Sequence, residues 1–130
     1  MPLHGAKNLR GAIDKKVVHL NNNVKGIWLT GLSNIAIETP VDEGRARNGW
    51  FFSEDAPLDR LPKRASNGGA DSLSRLSKMP SYVLGKTFYF ANNLPYINRL
   101  NYTDWAIVPG TRGWVNREVT QMQIAMRRIK

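Results

Sequence analysis

Thr39-Pro40-Val41-Asp42-Glu43-Gly44-Arg45-Ala46-Arg47-Asn48-Gly49-Trp50 is the stretch on which the reading of the fold turns. Pro40 disfavours helical geometry at Thr39, Asp42 can bond backbone amides ahead of it, and Gly44 can take a positive φ that its neighbours resist. The residues predict a helix stop, a tight acidic corner and an aromatic strand beyond it.

Upstream of the corner, Leu9, Ile13, Val17, Leu20, Val24, Ile27, Trp28, Leu32 and Ile35 recur at helical spacing. They form one apolar stripe, opposite a polar side carrying Arg10, Asp14, Lys15, Lys16 and Lys25. A helix is expected as far as Glu38. Asn21-Asn22-Asn23, Gly26 and Gly31 lower helix propensity and predict a kink or a division into two helices.

Downstream, Trp50-Phe51-Phe52-Ser53 predicts a strand starting near Ala46 or Arg47. Residues 54–69 hold Pro57, Pro62, Asn67, Gly68 and Gly69 among mixed charges, the composition of an exposed mobile loop that can order on a partner. Asp71 to Met79 predicts about two helical turns capped by Asp71, with Leu73, Leu76 and Met79 inward and Pro80 as the stop. Gly85-Lys86 reads as a turn before Thr87-Phe88-Tyr89-Phe90-Ala91, a strand that packs on both faces or lies at a subunit contact.

A short helical piece at 95–100 precedes a loop to Gly113, in which Trp105-Ala106-Ile107-Val108 reads as a brief strand and Pro109-Gly110 as a turn. Val115, Val119, Met122, Met126 and Ile129 place an amphipathic helix at the C-terminal end, with Arg127, Arg128 and Lys130 complementing its dipole. The expected architecture is one α+β domain over 1–130, a small antiparallel sheet packed by a long N-terminal and a C-terminal helix. Its segments are 1–39, 40–53, 54–70, 71–112 and 113–130.

A chain of 130 residues, 42% of them hydrophobic, suits a single core. The absence of cysteine excludes disulfides and thiolate metal sites and leans toward a reducing cytosol. Neither a signal-peptide core at the start nor a bilayer-length apolar run is present, so a soluble protein without membrane contact is expected. The net charge of +9 is spread along the chain and favours nucleic acid or an acidic protein surface as partner.

Catalytic chemistry finds little support. The acidic groups Glu38, Asp42 and Glu43, and Glu54, Asp55 and Asp59, lack recognisable ligand spacing, so turn formation and solvated charge outweigh a metal nuclease. His19 sits mid-helix without a spaced partner, no serine lies in a nucleophile elbow, and Gly68-Gly69 lacks the pattern of a phosphate loop. No cofactor and no metal are expected. The rival reading is nucleic-acid binding, with Arg45, Arg47, Arg60, Lys63 and Arg64 on phosphates and Trp50, Phe51, Phe88 or Tyr89 stacked on bases. Against it, Phe51, Phe88 and Phe90 read more simply as core.

The corner motif, taken with Thr87-Phe88-Tyr89-Phe90-Ala91-Asn92-Asn93-Leu94-Pro95-Tyr96-Ile97-Asn98-Arg99-Leu100 about fifty residues later, resembles the tail-completion or neck proteins of tailed bacteriophages. The likeness spans most of the chain, because the order of elements matches as well. The late segment Ile107-Val108-Pro109-Gly110 to Trp114-Val115 has altered spacing, Asn101 stands where an acidic residue is common, and Thr103 where glycine is common.

The resemblance implies a non-enzymatic structural protein of the virion that joins tail to head or terminates the tail. It implies assembly in the host cytoplasm as a ring, a hexamer ahead of a dodecamer, among neighbouring neck and tail proteins, with DNA contact in the lumen. The positions expected to set shape or interface are Pro40, Asp42, Glu43, Gly44, Arg45, Arg47, Asn92, Asn93, Pro95 and Tyr96. Arg45 and Arg47 are expected to pair with Asp42 and Glu43, between subunits or within the corner.

Overall fold

The computed structural model describes residues 3–41, 44–102 and 113–129. The chain runs α1 (Leu3–Glu38), β1 (Trp50–Glu54), α2 (Ala70–Leu76), β2 (Phe88–Asn92), α3 (Ile97–Tyr102) and α4 (Trp114–Arg127). This is a small α+β fold in which N- and C-terminal helices pack a two-stranded antiparallel sheet. Among the described residues no helix is long and apolar enough to cross a membrane.

The apolar stripe of α1 does two different things along its length. From Val24 onward it packs on the core through Trp28, Leu32, Ile35 and Ala36. Over residues 8–20 every position is exposed, including Leu9 (62%), Ile13 (51%) and Leu20 (39%). At 1.5 Å rise per residue, the part before Asn21 carries roughly 27 Å of helix beyond the packed domain.

The kink expected at the asparagines is absent, and α1 is continuous through them. Asn21 turns its polarity sideways: its Nδ2 donates to the Ser81 carbonyl at 2.7 Å, and its Oδ1 accepts the amide of Val83 at 2.7 Å. A side chain that bonds another segment no longer competes with its own helix backbone, which removes the reason for a break. Gly31 is likewise a contact site, because a Cβ there falls 2.3 Å from Met122 Cγ and Sδ on α4. The missing side chain lets the two helices approach.

β1 and β2 pair in the register Trp50 with Asn92, Phe52 with Phe90 and Glu54 with Phe88. Period-two alternation therefore puts Trp50, Phe52, Phe88 and Phe90 on one face. Trp50 stacks on Phe90 with centroids 5.0 Å apart, Phe52 on Phe88 at 5.1 Å, and Trp28 of α1 meets Phe88 edge-on at 5.8 Å. Phe51 points to the opposite face, where the Arg75 guanidinium of α2 lies 3.8 Å from its ring centroid. Strand β1 thus packs rings on both faces, while Phe88 and Phe90 of β2 pack on one.

Strand β1 starts at Trp50, not at Ala46 or Arg47, because residues 45–48 form a turn closed by the Asn48 amide on the Gly44 carbonyl at 3.2 Å. α2 starts after Gly69 in left-handed geometry, so Asp71 lies inside the first turn and is not the cap. Trp114 opens α4, is fully buried and donates from Nε1 to the Ile35 carbonyl at 3.0 Å, fastening α4 to the end of α1. The expected strand at Trp105-Ala106-Ile107-Val108 and turn at Pro109-Gly110 lie outside the described residues.

Candidate functional site

The corner is built from the last turn of α1. Thr39 has no exposed surface, and its Oγ1 donates to the Ile35 carbonyl at 2.7 Å while accepting Trp50 Nε1–H at 2.9 Å. One hydroxyl therefore closes the helix and fixes the first residue of β1. Pro40 is buried beside it.

Gly44 has φ +79, where a Cβ falls 2.7 Å from the Ser66 carbonyl carbon and 2.8 Å from the Asn67 nitrogen. Its own carbonyl accepts the Ser66 amide at 3.1 Å. Conformation and close approach both demand glycine here.

Arg47 and Asn48 knit the corner to the following loop. Arg47 Nε donates to the Thr39 carbonyl at 3.0 Å and Nη1 to the Asn67 carbonyl at 2.7 Å, while partial burial lowers its pKa below the ordinary arginine value. Asn48 is fully buried; Nδ2 donates to the Arg64 carbonyl at 3.0 Å and to Asp71 Oδ2 at 2.9 Å, and Oδ1 accepts the Asp71 amide at 2.7 Å. The carboxylate of Asp71 also takes Arg64 Nη2–H at 2.5 Å and Nε–H at 2.8 Å. The Arg64 bonds, then that from Asn48, hold its pKa far below the usual carboxylate range. Ser72 Oγ donates to the Arg47 carbonyl at 2.8 Å and accepts the Trp50 amide at 3.0 Å.

The second motif meets the first directly. Asn92 Nδ2 donates to the Ala46 carbonyl at 2.8 Å, while its Oδ1 accepts the Leu94 amide at 3.2 Å and turns the chain after β2. Asn93 Nδ2 donates to the Leu58 and Arg60 carbonyls at 2.8 and 3.0 Å. Apart from Glu54, which ends β1, residues 54–69 hold no helix or strand, yet Arg47, Asn48 and Asn93 tie their backbone to both motifs. Tyr96 is half-buried against the core and Pro95 is exposed.

Of the expected shape or interface positions, Pro40, Gly44, Arg47 and Asn92 come together at this corner, whereas Asn93 holds the following loop, Tyr96 packs on the core and Pro95 is exposed. Arg45 is exposed. Asp42 and Glu43, and with them the expected pairing to Arg45 and Arg47, lie outside the described residues.

Sequence reading missed Asn48, Ser72 and Arg75, whose roles need contacts 22 to 27 residues away. It also missed Asn101, which accepts the Val115 amide on Oδ1 at 3.1 Å and the Gly113 amide on its carbonyl at 2.5 Å, thereby capping α4 from α3. The clue for Asn48 was an amide beside a glycine in a corner rich in backbone turns; Asn101 carried none.

The polar groups named in the corner are spent on one another and on backbone, and no buried side-chain polar atom among the described residues lacks a partner. An arrangement of this kind fixes shape. Of the four rings expected to stack on bases, Trp50, Phe51 and Phe88 are buried and Tyr89 is half-buried. No protein-family model, curated protein or solved structure matches the chain.

Proposed function

We propose that this chain is a non-enzymatic structural protein of a tailed bacteriophage, completing the tail or joining it to the head as a ring component. The reading starts from the resemblance carried by the corner and by Asn92 to Tyr96. The observation that carries it is the bond from Asn92 to the Ala46 carbonyl, which makes those two separated motifs a single structural unit. Motif residues spent on holding a corner suit a protein whose task is a fixed shape.

The bare first half of α1 supports assembly. An uncovered apolar helix face calls for a partner. The positive balance supports DNA contact in the lumen through exposed cations such as Arg45, Arg60 and Lys63, acting on phosphates without base stacking.

Immunogold labelling of intact virions tests the proposal. Label confined to the head–tail junction or the tail end is the expected result; virions free of the protein, or label over the capsid shell, overturn it.

A further inference from the structure

The pair Asn-Gly occurs twice in the chain, at Asn48-Gly49 in the corner and at Asn67-Gly68 in the loop that the corner holds. Such a pair can react with itself. Glycine lacks a Cβ, so its backbone nitrogen can approach the side-chain carbonyl carbon of the preceding asparagine. Whether it does so depends on how firmly the fold ties down the two groups, and the two pairs differ in this.

Asn48 is fully buried and both ends of its side chain are bonded, Nδ2 to the Arg64 carbonyl and Asp71 Oδ2, Oδ1 to the Asp71 amide. The nucleophile beside it is spent as well, since the Gly49 amide donates to the Ala46 carbonyl at 3.1 Å. Asn67 and Gly68 are both exposed, at the two central positions of a turn closed by the Gly69 amide on the Ser66 carbonyl at 3.1 Å. Among the described residues nothing bonds the Asn67 side-chain amide or the Gly68 N–H, and a Cβ at Gly68 would meet no atom within 4 Å. Arg47 Nη1 donates to the Asn67 carbonyl at 2.7 Å, and a cation on that oxygen favours the negative charge that the peptide gains when the Gly68 nitrogen loses its proton.

We propose that Asn67 is a self-modification site of the folded protein, which deamidates through a cyclic imide while Asn48 is protected. The Gly68 N–H gives its proton to hydroxide or water, and the nitrogen bonds to Asn67 Cγ. The Cγ–Nδ2 bond breaks, and Nδ2 takes a proton from water and leaves as ammonia. One water then opens the ring. Attack at Cγ breaks the new bond and leaves aspartate; attack at the backbone carbonyl carbon breaks the original bond to Gly68 and leaves isoaspartate, with the main chain running through the former side chain.

In the isoaspartyl form the oxygen that Arg47 holds belongs to a free carboxylate, and the main chain is longer by one carbon. The neighbouring Ser66 amide bonds the Gly44 carbonyl, so the change falls where loop and corner join. The inference goes beyond the functional reading and does not rest on it.

Protein aged at mildly alkaline pH, then digested and mapped by mass spectrometry with the aspartyl and isoaspartyl peptides separated, tests the proposal. In the folded protein Asn67 is expected to convert roughly a hundredfold faster than Asn48, which must wait for local opening. In urea the two are expected to convert at similar rates, because the protection belongs to the fold. Gly68→Ala fits the open space and a backbone that is not left-handed, so it keeps the fold. Its Cβ crowds the attacking nitrogen and is expected to slow conversion at Asn67 roughly tenfold. The proposal is overturned by Asn67 left intact in the aged folded protein, by Asn48 converting as fast while folded, by a gap that persists in urea, or by Gly68→Ala converting at the wild-type rate.

Discussion

The side-chain amide of Asn92 donates to the Ala46 carbonyl at 2.8 Å, and so the end of β2 holds the corner that precedes β1. Ala46 is buried, so its carbonyl has little access to water as a substitute. Asn92→Ala leaves that carbonyl only the Gly49 amide at 3.1 Å and frees the buried Leu94 amide. The expected loss is about 1–3 kcal/mol of stability, measured by urea unfolding. Asn93→Ala releases two carbonyls of the loop closer to solvent and is expected to cost less.

Thr39 and Trp50 give a sharper test, because valine matches threonine in shape. Thr39→Val deprives the buried Trp50 Nε1–H of its acceptor and is expected to cost about 1–3 kcal/mol, whereas Thr39→Ser keeps the hydroxyl and most of the stability. Unfolding followed by tryptophan fluorescence separates the two variants. Equal stability of valine and serine forms would refute the assigned role of the hydroxyl.

At Gly44, alanine meets both left-handed strain and the backbone of Ser66 and Asn67. Strain alone is worth roughly 1–2 kcal/mol, and the neighbouring backbone must shift as well. Gly44→Ala is therefore expected to lower the melting temperature by several degrees and to loosen residues 64–69, seen as faster amide exchange at Ser66.

These sites mark where sequence reading succeeded and where it stopped. The helix stop at Pro40, the left-handed glycine and the aromatic strands follow from local chemistry, and all three stand in the structure. Asn21 was read as a helix breaker because its partners, Ser81 and Val83, are sixty or more residues away. Asp71 was read as a cap for the same reason: Arg64 and Asn48 claim its carboxylate before its own helix does.

Acid is expected to act oppositely on two carboxylates. Asp71 has a folded pKa depressed below its ordinary 3.8, so its stabilisation is complete above that value and is lost as pH falls beneath it. Asp71→Asn should flatten the acid limb of the stability curve.

Glu38 has a pKa raised above 4.5, first by burial and then by hydrogen bonding and repulsion from Glu118, with Arg117 opposing. Its contribution is present below about pH 4.5 and is lost as pH rises through the folded value. Glu38→Gln is expected to raise the melting temperature at neutral pH and to have no effect at low pH. Melts of both variants across pH check the two signs together.

The most direct measurement is electron microscopy of lysates from a phage carrying this gene, with and without the gene, counting joined virions against separate heads and tails. Filled heads and tails left unjoined, or tails of abnormal length, are the predicted result, and the two defects separate joining from termination. Joined, infectious particles formed in normal numbers without the protein would contradict the proposed role.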